Sequence, residues 1–212
     1  IALAVGVTSG WLVMCQVVAS GDRRVDDGEA CVREVKVKFH VWDREALFLS
    51  LKARDIELGE PFFQDDQAYA PDRWTFEDSR LGVSFPRLRT INNRHFFTLK
   101  QPTVNAQAYV SFETEVADRD QMHQAILNMG FCPTVRVAKI RRTARLGNMS
   151  LYVDELDGLG MFLELDCPVP AHESAVTVQE TLNAFVASLG VDVTRTEETC
   201  DALVRTAQLR AA

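Results

Sequence analysis

The stretch Glu34-Val35-Lys36-Val37-Lys38-Phe39 constrains the fold most. Glu34, Lys36 and Lys38 alternate strictly with Val35, Val37 and Phe39. A period of two with β-branched residues specifies a strand rather than a helix. An ordinary half-buried strand turns its apolar set to a core and its charged set to water. The same charged face also suits the inside of a polar barrel. Recurrence favours the barrel. Arg87-Leu88-Arg89, Glu113-Thr114-Glu115, Lys139-Ile140-Arg141 and Glu164-Leu165-Asp166 each put two like charges on one strand face. Like charges placed this way repel unless an opposite charge lies between them. Basic pairs call for an anion and acidic pairs for a cation. A barrel lumen holding a polyphosphate and a divalent metal satisfies both. For any single pair, a solvated strand face is the competing reading.

The chain has 212 residues, enough for one domain with a real core. Its net charge of -7 argues against non-specific nucleic-acid binding, so no nucleic-acid partner is expected. A local basic pocket remains compatible with that balance. Cys15, Cys31, Cys132, Cys167 and Cys200 are scattered and form no Cys-x-x-Cys. They read as small hydrophobes in a reducing compartment, which points to a cytoplasmic protein. His40, His95, His123 and His172 do not cluster and read as surface or packing residues.

Residues 1–20 carry no charge, and residues 21–30 are polar. A signal-peptide core is one reading of the first run, but it lacks a basic segment ahead of it. Gly6, Thr8, Ser9, Gly10 and Gln16 interrupt it, so no stable membrane association is expected. The preferred division is a leader or linker over 1–31, not native to the folded domain, and one domain over 32–212. After the first strand, Asp43 caps a helix with an apolar stripe from Ala46 to Ile56, closed by Gly59. Strands follow over 62–69, 84–90 and 95–100. Asn92-Asn93 forms the turn of a hairpin, and Pro102 stops its second strand. The plan then restarts with a strand over 109–116, an Asp118-capped helix and a Gly130 stop. This weak repeat implies two half-barrels. Strands over 135–142, 149–154 and 160–166 complete the second half. Helices over 176–189 and 197–208 end the chain.

These segments resemble the CYTH group of triphosphate tunnel enzymes over Val32 to about Leu203. The class IV adenylyl cyclase-like branch looks closest, ahead of the thiamine triphosphatases. Glu34-Val35-Lys36-Val37-Lys38 resembles the family's Glu-x-Glu-x-Lys opening, and Leu99-Lys100-Gln101-Pro102 falls in its Lys-x-Pro segment. Phe112-Glu113-Thr114-Glu115 is similar to its acidic strand, and Val137-Ala138-Lys139-Ile140-Arg141 to its Val-x-Lys-x-Arg pair. Leu151 to Asp166 is the most specific match. The resemblance implies an α+β fold: an eight-stranded antiparallel closed β-barrel with helices packed outside. It implies Lys36, Lys38, Arg87, Arg89, Lys100, Lys139 and Arg141 as triphosphate contacts. It implies Glu34, Glu113, Glu115, Asp154 and Glu164 as ligands for Mg²⁺ or Mn²⁺, and Lys38, Arg141 and Asp154 as the catalytic set.

One departure matters. Lys36 stands where the second Glu of the signature is expected, removing a carboxylate and adding a repelling charge. Ser111 replaces a frequent carboxylate, and Asp166 replaces the final Glu. Lys36 would pair with Glu34 or contact phosphate. Three functions follow from the resemblance. The first is cyclisation of ATP to cyclic AMP and pyrophosphate, and the second is hydrolysis of a nucleoside, thiamine or inorganic triphosphate. The third, which Lys36 raises, is non-catalytic binding of a phosphate compound. The partner is a triphosphate in each case, and a homodimer is left open.

Overall fold

The structure, a computed structural model, describes residues 33–170 and 172–211, so the reading of a leader over 1–31 lies outside the described residues. The first half of the chain runs β1 (Arg33–Val41), α1 (Arg44–Lys52), β2 (Phe62–Pro71), β3 (Phe85–Ile91) and β4 (Arg94–Asn105). The second runs β5 (Ala108–Val116), α2 (Arg119–Asn128), β6 (Phe131–Leu146), β7 (Met149–Leu156) and β8 (Gly160–Pro168). Then come α3 (Ala175–Ser188), β9 (Val193–Thr196) and α4 (Cys200–Ala211).

All strand pairs are antiparallel, in the order β5-β4-β3-β2-β6-β7-β8-β1-β9, and β5 also pairs with β1. Strands β1 to β8 therefore make a ring, with β9 added to β1. The order of neighbours is unchanged when β1–β4 are exchanged for β5–β8. That symmetry matches the repeat expected from the sequence. The short β9 was not expected: four residues without clear alternation leave little pattern.

Local chemistry sets the joints. Asp43 accepts from the Ala46 amide at 2.9 Å and Asp118 from the Asp120 and Gln121 amides at 2.9 Å, so both helices start where the sequence places caps. Asn92 and Asn93 have φ of 49° and 61°, the left-handed pair that a tight hairpin turn needs. Pro102 does not end its strand. β4 leaves β3 after Lys100 and pairs only with β5 from there, so the missing N–H of Pro102 falls on an edge.

The outward side chains of β1, Val35, Val37 and Phe39, are buried with Leu47 and Leu51 of α1 and Val178, Leu182 and Val186 of α3. Leu151, Val153, Leu163 and Leu165 extend that core across β7 and β8. Burying each such side chain stabilises by about 1.5–3 kcal/mol. Ile126 of α2 packs on Leu88 and Tyr69. The expectation that every helix lies outside needs one correction. Leu203 and Val204 of α4 pack on Val135, Val137, Leu156 and Phe162. By strand alternation, Val135 and Val137 share the inward face of Lys139 and Arg141. Helix α4 thus covers one end of the ring interior, because the inward residues there are apolar and need cover.

Candidate active site

The inward faces of the strands converge on one cavity of about 290 Å³. Glu34, Lys36 and Lys38 reach it from β1, Arg87 and Arg89 from β3, and Lys100 from β4. Glu113 lines it from β5, Lys139 and Arg141 from β6, and Glu164 from β8. Asp154 has 0% exposure and lies behind Lys139 and Arg141 instead of at the cavity surface. Glu115 is not brought into the cavity; it is exposed and accepts from Arg94 Nε at 2.8 Å.

Side chains of the protein itself bridge most like-charge pairs, each from the neighbouring strand. Asp154 stands opposite Arg141 in the ladder and accepts from Arg141 Nε at 2.6 Å and Lys139 Nζ at 2.7 Å. Asp66 stands opposite Arg89, accepts from its Nε at 2.8 Å, and lies 3.5 Å from Arg87. Lys36 and Lys38 stand opposite Asp166 and Glu164. Lys36 Nζ donates to Glu164 at 2.9 Å and lies 3.7 Å from Asp166. The partner of Lys36 is therefore Glu164, where the sequence pointed to Glu34 or phosphate. Lys38 Nζ contacts Glu164 at 3.1 Å, the Glu198 carbonyl at 3.2 Å and Cys200 Sγ at 3.0 Å. Two of these contacts are hydrogen bonds, to the Glu198 carbonyl and Cys200 Sγ, and the third is an ion pair.

Burial works against the charges of Lys36, Lys38, Arg89, Arg141, Asp66, Asp154 and Glu164, and their partners decide the outcome. Burial disfavours the Lys36 ammonium, but the Asp166 and Glu164 carboxylates outweigh it and hold its pKa above the ordinary lysine value. Asp154 and Glu164 stay below the usual carboxylate range despite burial, through Lys139 and Arg141 for the first and Lys36 and Lys38 for the second. Arg89 and Arg87 do the same for Asp66. Lys100 goes the other way. Burial, helped by the Lys36 and Arg87 charges, lowers it to about 7. Burial also pushes Glu34 upward, and the Asp166 carboxylate adds to it against Lys100 and Lys36.

The cavity thus has two unlike walls. On β1, β6, β7 and β8 the cations are held by carboxylates at 2.6 to 3.1 Å. On β3, Arg89 is held by Asp66 at 2.8 Å, but Arg87 reaches the Asp66 and Glu113 carboxylates at only 3.5 and 3.8 Å and donates to Thr98 Oγ1 at 3.3 Å; on β4, Lys100 Nζ lies 3.8 Å from the ring centroid of Tyr109. Asp66, Tyr109 and Cys200 line the cavity, and sequence reasoning gave none of them a role. The phase Gln64-Asp66-Ala68 was the available signal for Asp66, but Asp65 beside it leaves that phase open. Asp65 in fact faces Arg136, at 2.7 Å.

Asp154, Glu164 and Cys200 bring one ligand atom each to within 4.8 Å of one another. A divalent ion there would meet Lys36, Lys38, Lys139 and Arg141, all already bonded to Asp154 or Glu164. Those residues do not fit a divalent ion. Glu34, Glu113 and Asp166 are different: among the described residues none has an ion pair closer than 3.7 Å.

The model of the CYTH domain matches residues 32–199. The chain belongs to the CYTH domain family. A Methanocaldococcus jannaschii protein named "putative adenylate cyclase" is 22% identical over 160 residues, covering 74% of this chain and 90% of that protein. The solved PH1819 protein of Pyrococcus horikoshii superposes with a TM-score of 0.68 at 21% identity, covering 82% of this chain and 98% of that one. A solved Hippeastrum protein, described as a "putative adenylyl cyclase" with a dominant triphosphatase activity, superposes with a TM-score of 0.54 at 17% identity, over 82% of this chain and 96% of that one. Membership sets this CYTH chain among proteins that process triphosphates. No helix among the described residues is long and apolar enough to cross a membrane.

Proposed function

We propose that the ring acts as a closed tunnel that binds the triphosphate chain of a nucleoside triphosphate and processes it, converting ATP to cyclic AMP and pyrophosphate. The observation that carries this reading is the convergence of Lys36, Lys38, Arg87, Arg89, Lys100, Lys139 and Arg141 on one cavity. An ATP triphosphate carries several negative charges, and ammonium and guanidinium groups are its natural counter-surface. In the reaction the 3′-oxygen bonds to the α-phosphorus, the bond from that phosphorus to the bridging oxygen breaks, and pyrophosphate leaves. The 3′-hydroxyl proton leaves to bulk water, while Lys100, recharged beside the phosphates, helps to hold them. Arg141 and Lys38 face the developing phosphate charge, and Asp154 holds Arg141 and Lys139 in place. A Mg²⁺ or Mn²⁺ ion entering with the triphosphate would be held by Glu34, Glu113 and Asp166 and would supply charge neutralisation at the phosphates.

Hydrolysis of a triphosphate is the second reading, and cavity size favours it. At about 290 Å³ the cavity sits at the lower end for drug-sized ligands, enough for a phosphate chain with the rest of the molecule outside. The activity described for the Hippeastrum relative points the same way. The test is incubation with ATP, other nucleoside triphosphates, thiamine triphosphate or inorganic triphosphate plus Mg²⁺ or Mn²⁺, followed by mass spectrometry. Cyclic AMP with pyrophosphate is the expected product from ATP. Phosphate alone would replace cyclisation by hydrolysis. Binding without turnover would leave a phosphate-compound binding protein.

A further inference from the structure

Tyr109 is 5% exposed, yet its buried hydroxyl has no hydrogen-bond partner. Buried tyrosine hydroxyls are normally satisfied, and an orphaned one costs stability. The residue lines the cavity between the β1 and β4 neighbours of its strand, opposite Glu34 and Pro102 in the two ladders. Its surroundings share its condition. Arg87 Nε is also buried without an acceptor. Lys100 rests on the Tyr109 ring and has no ion pair among the described residues. The Tyr109 hydroxyl, Arg87 Nε and the unpaired Lys100 thus lie together on the β3–β4–β5 wall, while Asp166 Oδ1 and Thr199 Oγ1 are unpartnered elsewhere around the cavity. Burial, with Asp166 and Glu34 nearby, pushes the Tyr109 hydroxyl well above the usual phenol range, so at neutral pH it is a proton donor. Three donors of this kind around one space fit an acceptor-rich anion that has no protons to give.

We propose that Tyr109 is a direct ligand-binding residue, whose hydroxyl donates to a non-bridging oxygen of the phosphate chain that Arg87 and Lys100 hold. The inference rests on the reading of the cavity as a triphosphate site and adds to it the wall that grips first. It also explains the orphaned hydroxyl: the free protein keeps a poorly satisfied donor because the ligand supplies its acceptor.

The test compares the full chain with Tyr109→Phe, which keeps the ring under Lys100 and removes only the hydroxyl. Inorganic triphosphate is titrated by calorimetry in EDTA, and thermal unfolding of the free proteins is recorded in parallel. Loss of a hydrogen bond to a charged acceptor predicts roughly 10- to 100-fold weaker binding. The free variant should unfold at the same temperature as the parent or slightly higher, because no partner is lost. Equal affinity of parent and variant would overturn the inference while leaving the triphosphate reading intact. Weaker binding together with a lower unfolding temperature would also overturn it, since the hydroxyl would then be structural. A parent that binds no triphosphate either in EDTA or with added Mg²⁺ would overturn both readings.

Discussion

Lys36→Glu should lower the unfolding temperature by roughly 6–20 °C in metal-free buffer, and Mg²⁺ or Mn²⁺ should restore much of that loss. The parent holds the Lys36 ammonium 2.9 Å from Glu164 and 3.7 Å from Asp166, with 19% of the Lys36 side chain and 1% of the Glu164 side chain exposed. The substitution removes the cation and sets a third carboxylate beside the other two. Removing one partner of a buried pair costs about 3–5 kcal/mol. In a domain of this size each kcal/mol moves the midpoint by about 2–4 °C. A divalent ion can then fill the place that the ammonium held, because the site has become oxygen-rich. Lys36→Met separates the two effects: it loses the cation without adding a charge, so metal should rescue it far less. Thermal unfolding of the three proteins with and without metal decides this. Equal midpoints for parent and Lys36→Glu would show that Lys36 does not hold Glu164.

Asp154→Asn should destabilise by about 3–5 kcal/mol, because buried Lys139 loses its counter-ion and Arg141 keeps only Glu164. Chemical denaturation measures it. The pH dependence has a definite sign. The folded-state pKa of Asp154 is depressed, with Lys139 and Arg141 outweighing burial. A depressed carboxylate contributes stability that is complete above the unfolded value of about 4 and is lost as pH falls through the lower folded value. The gap between parent and Asp154→Asn should therefore be full at pH 7 and shrink in acid below about pH 4. Glu164, also depressed, gives the parent a parallel loss in the same range. A variant as stable as the parent but unable to turn over substrate would make Asp154 a ligand for metal or substrate instead of the anchor of Lys139 and Arg141.

Much of the architecture was legible because it is local. Alternation in β1 gave the inward set, Asp43 and Asp118 gave the helix starts, and Asn92-Asn93 gave a hairpin. Of the like-charge pairs, only Glu113 and Glu115 divide between cavity and exposed surface, since Glu115 lies where β4 offers Arg94 as a partner. What stayed hidden depends on register between distant strands. That Lys36 meets Glu164 follows from β1 lying against β8, more than a hundred residues away. Asp66 was masked by Asp65 and by the irregular pairing between Gln67 and Tyr69. β6 runs Phe131–Leu146, well beyond the expected 135–142, because Pro133, Thr134 and Arg136 interrupt its pattern. Tyr109 only opened a strand over 109–116 in the sequence, and its unpartnered hydroxyl marks it in the structure.

If a triphosphate chain lies against Lys100 inside the ring, as we propose, its binding must change the charge of Lys100. Lys100 sits near pH 7 only because burial and the Lys36 and Arg87 charges disfavour its ammonium. A polyphosphate placed beside it reverses that balance and recharges it. Calorimetric titration of inorganic triphosphate at pH 8, repeated in buffers of different ionisation enthalpy, counts the protons exchanged. Binding at one site is expected, with the parent taking up close to one proton more than Lys100→Met. No binding heat, or the same proton count for both proteins, would contradict the account.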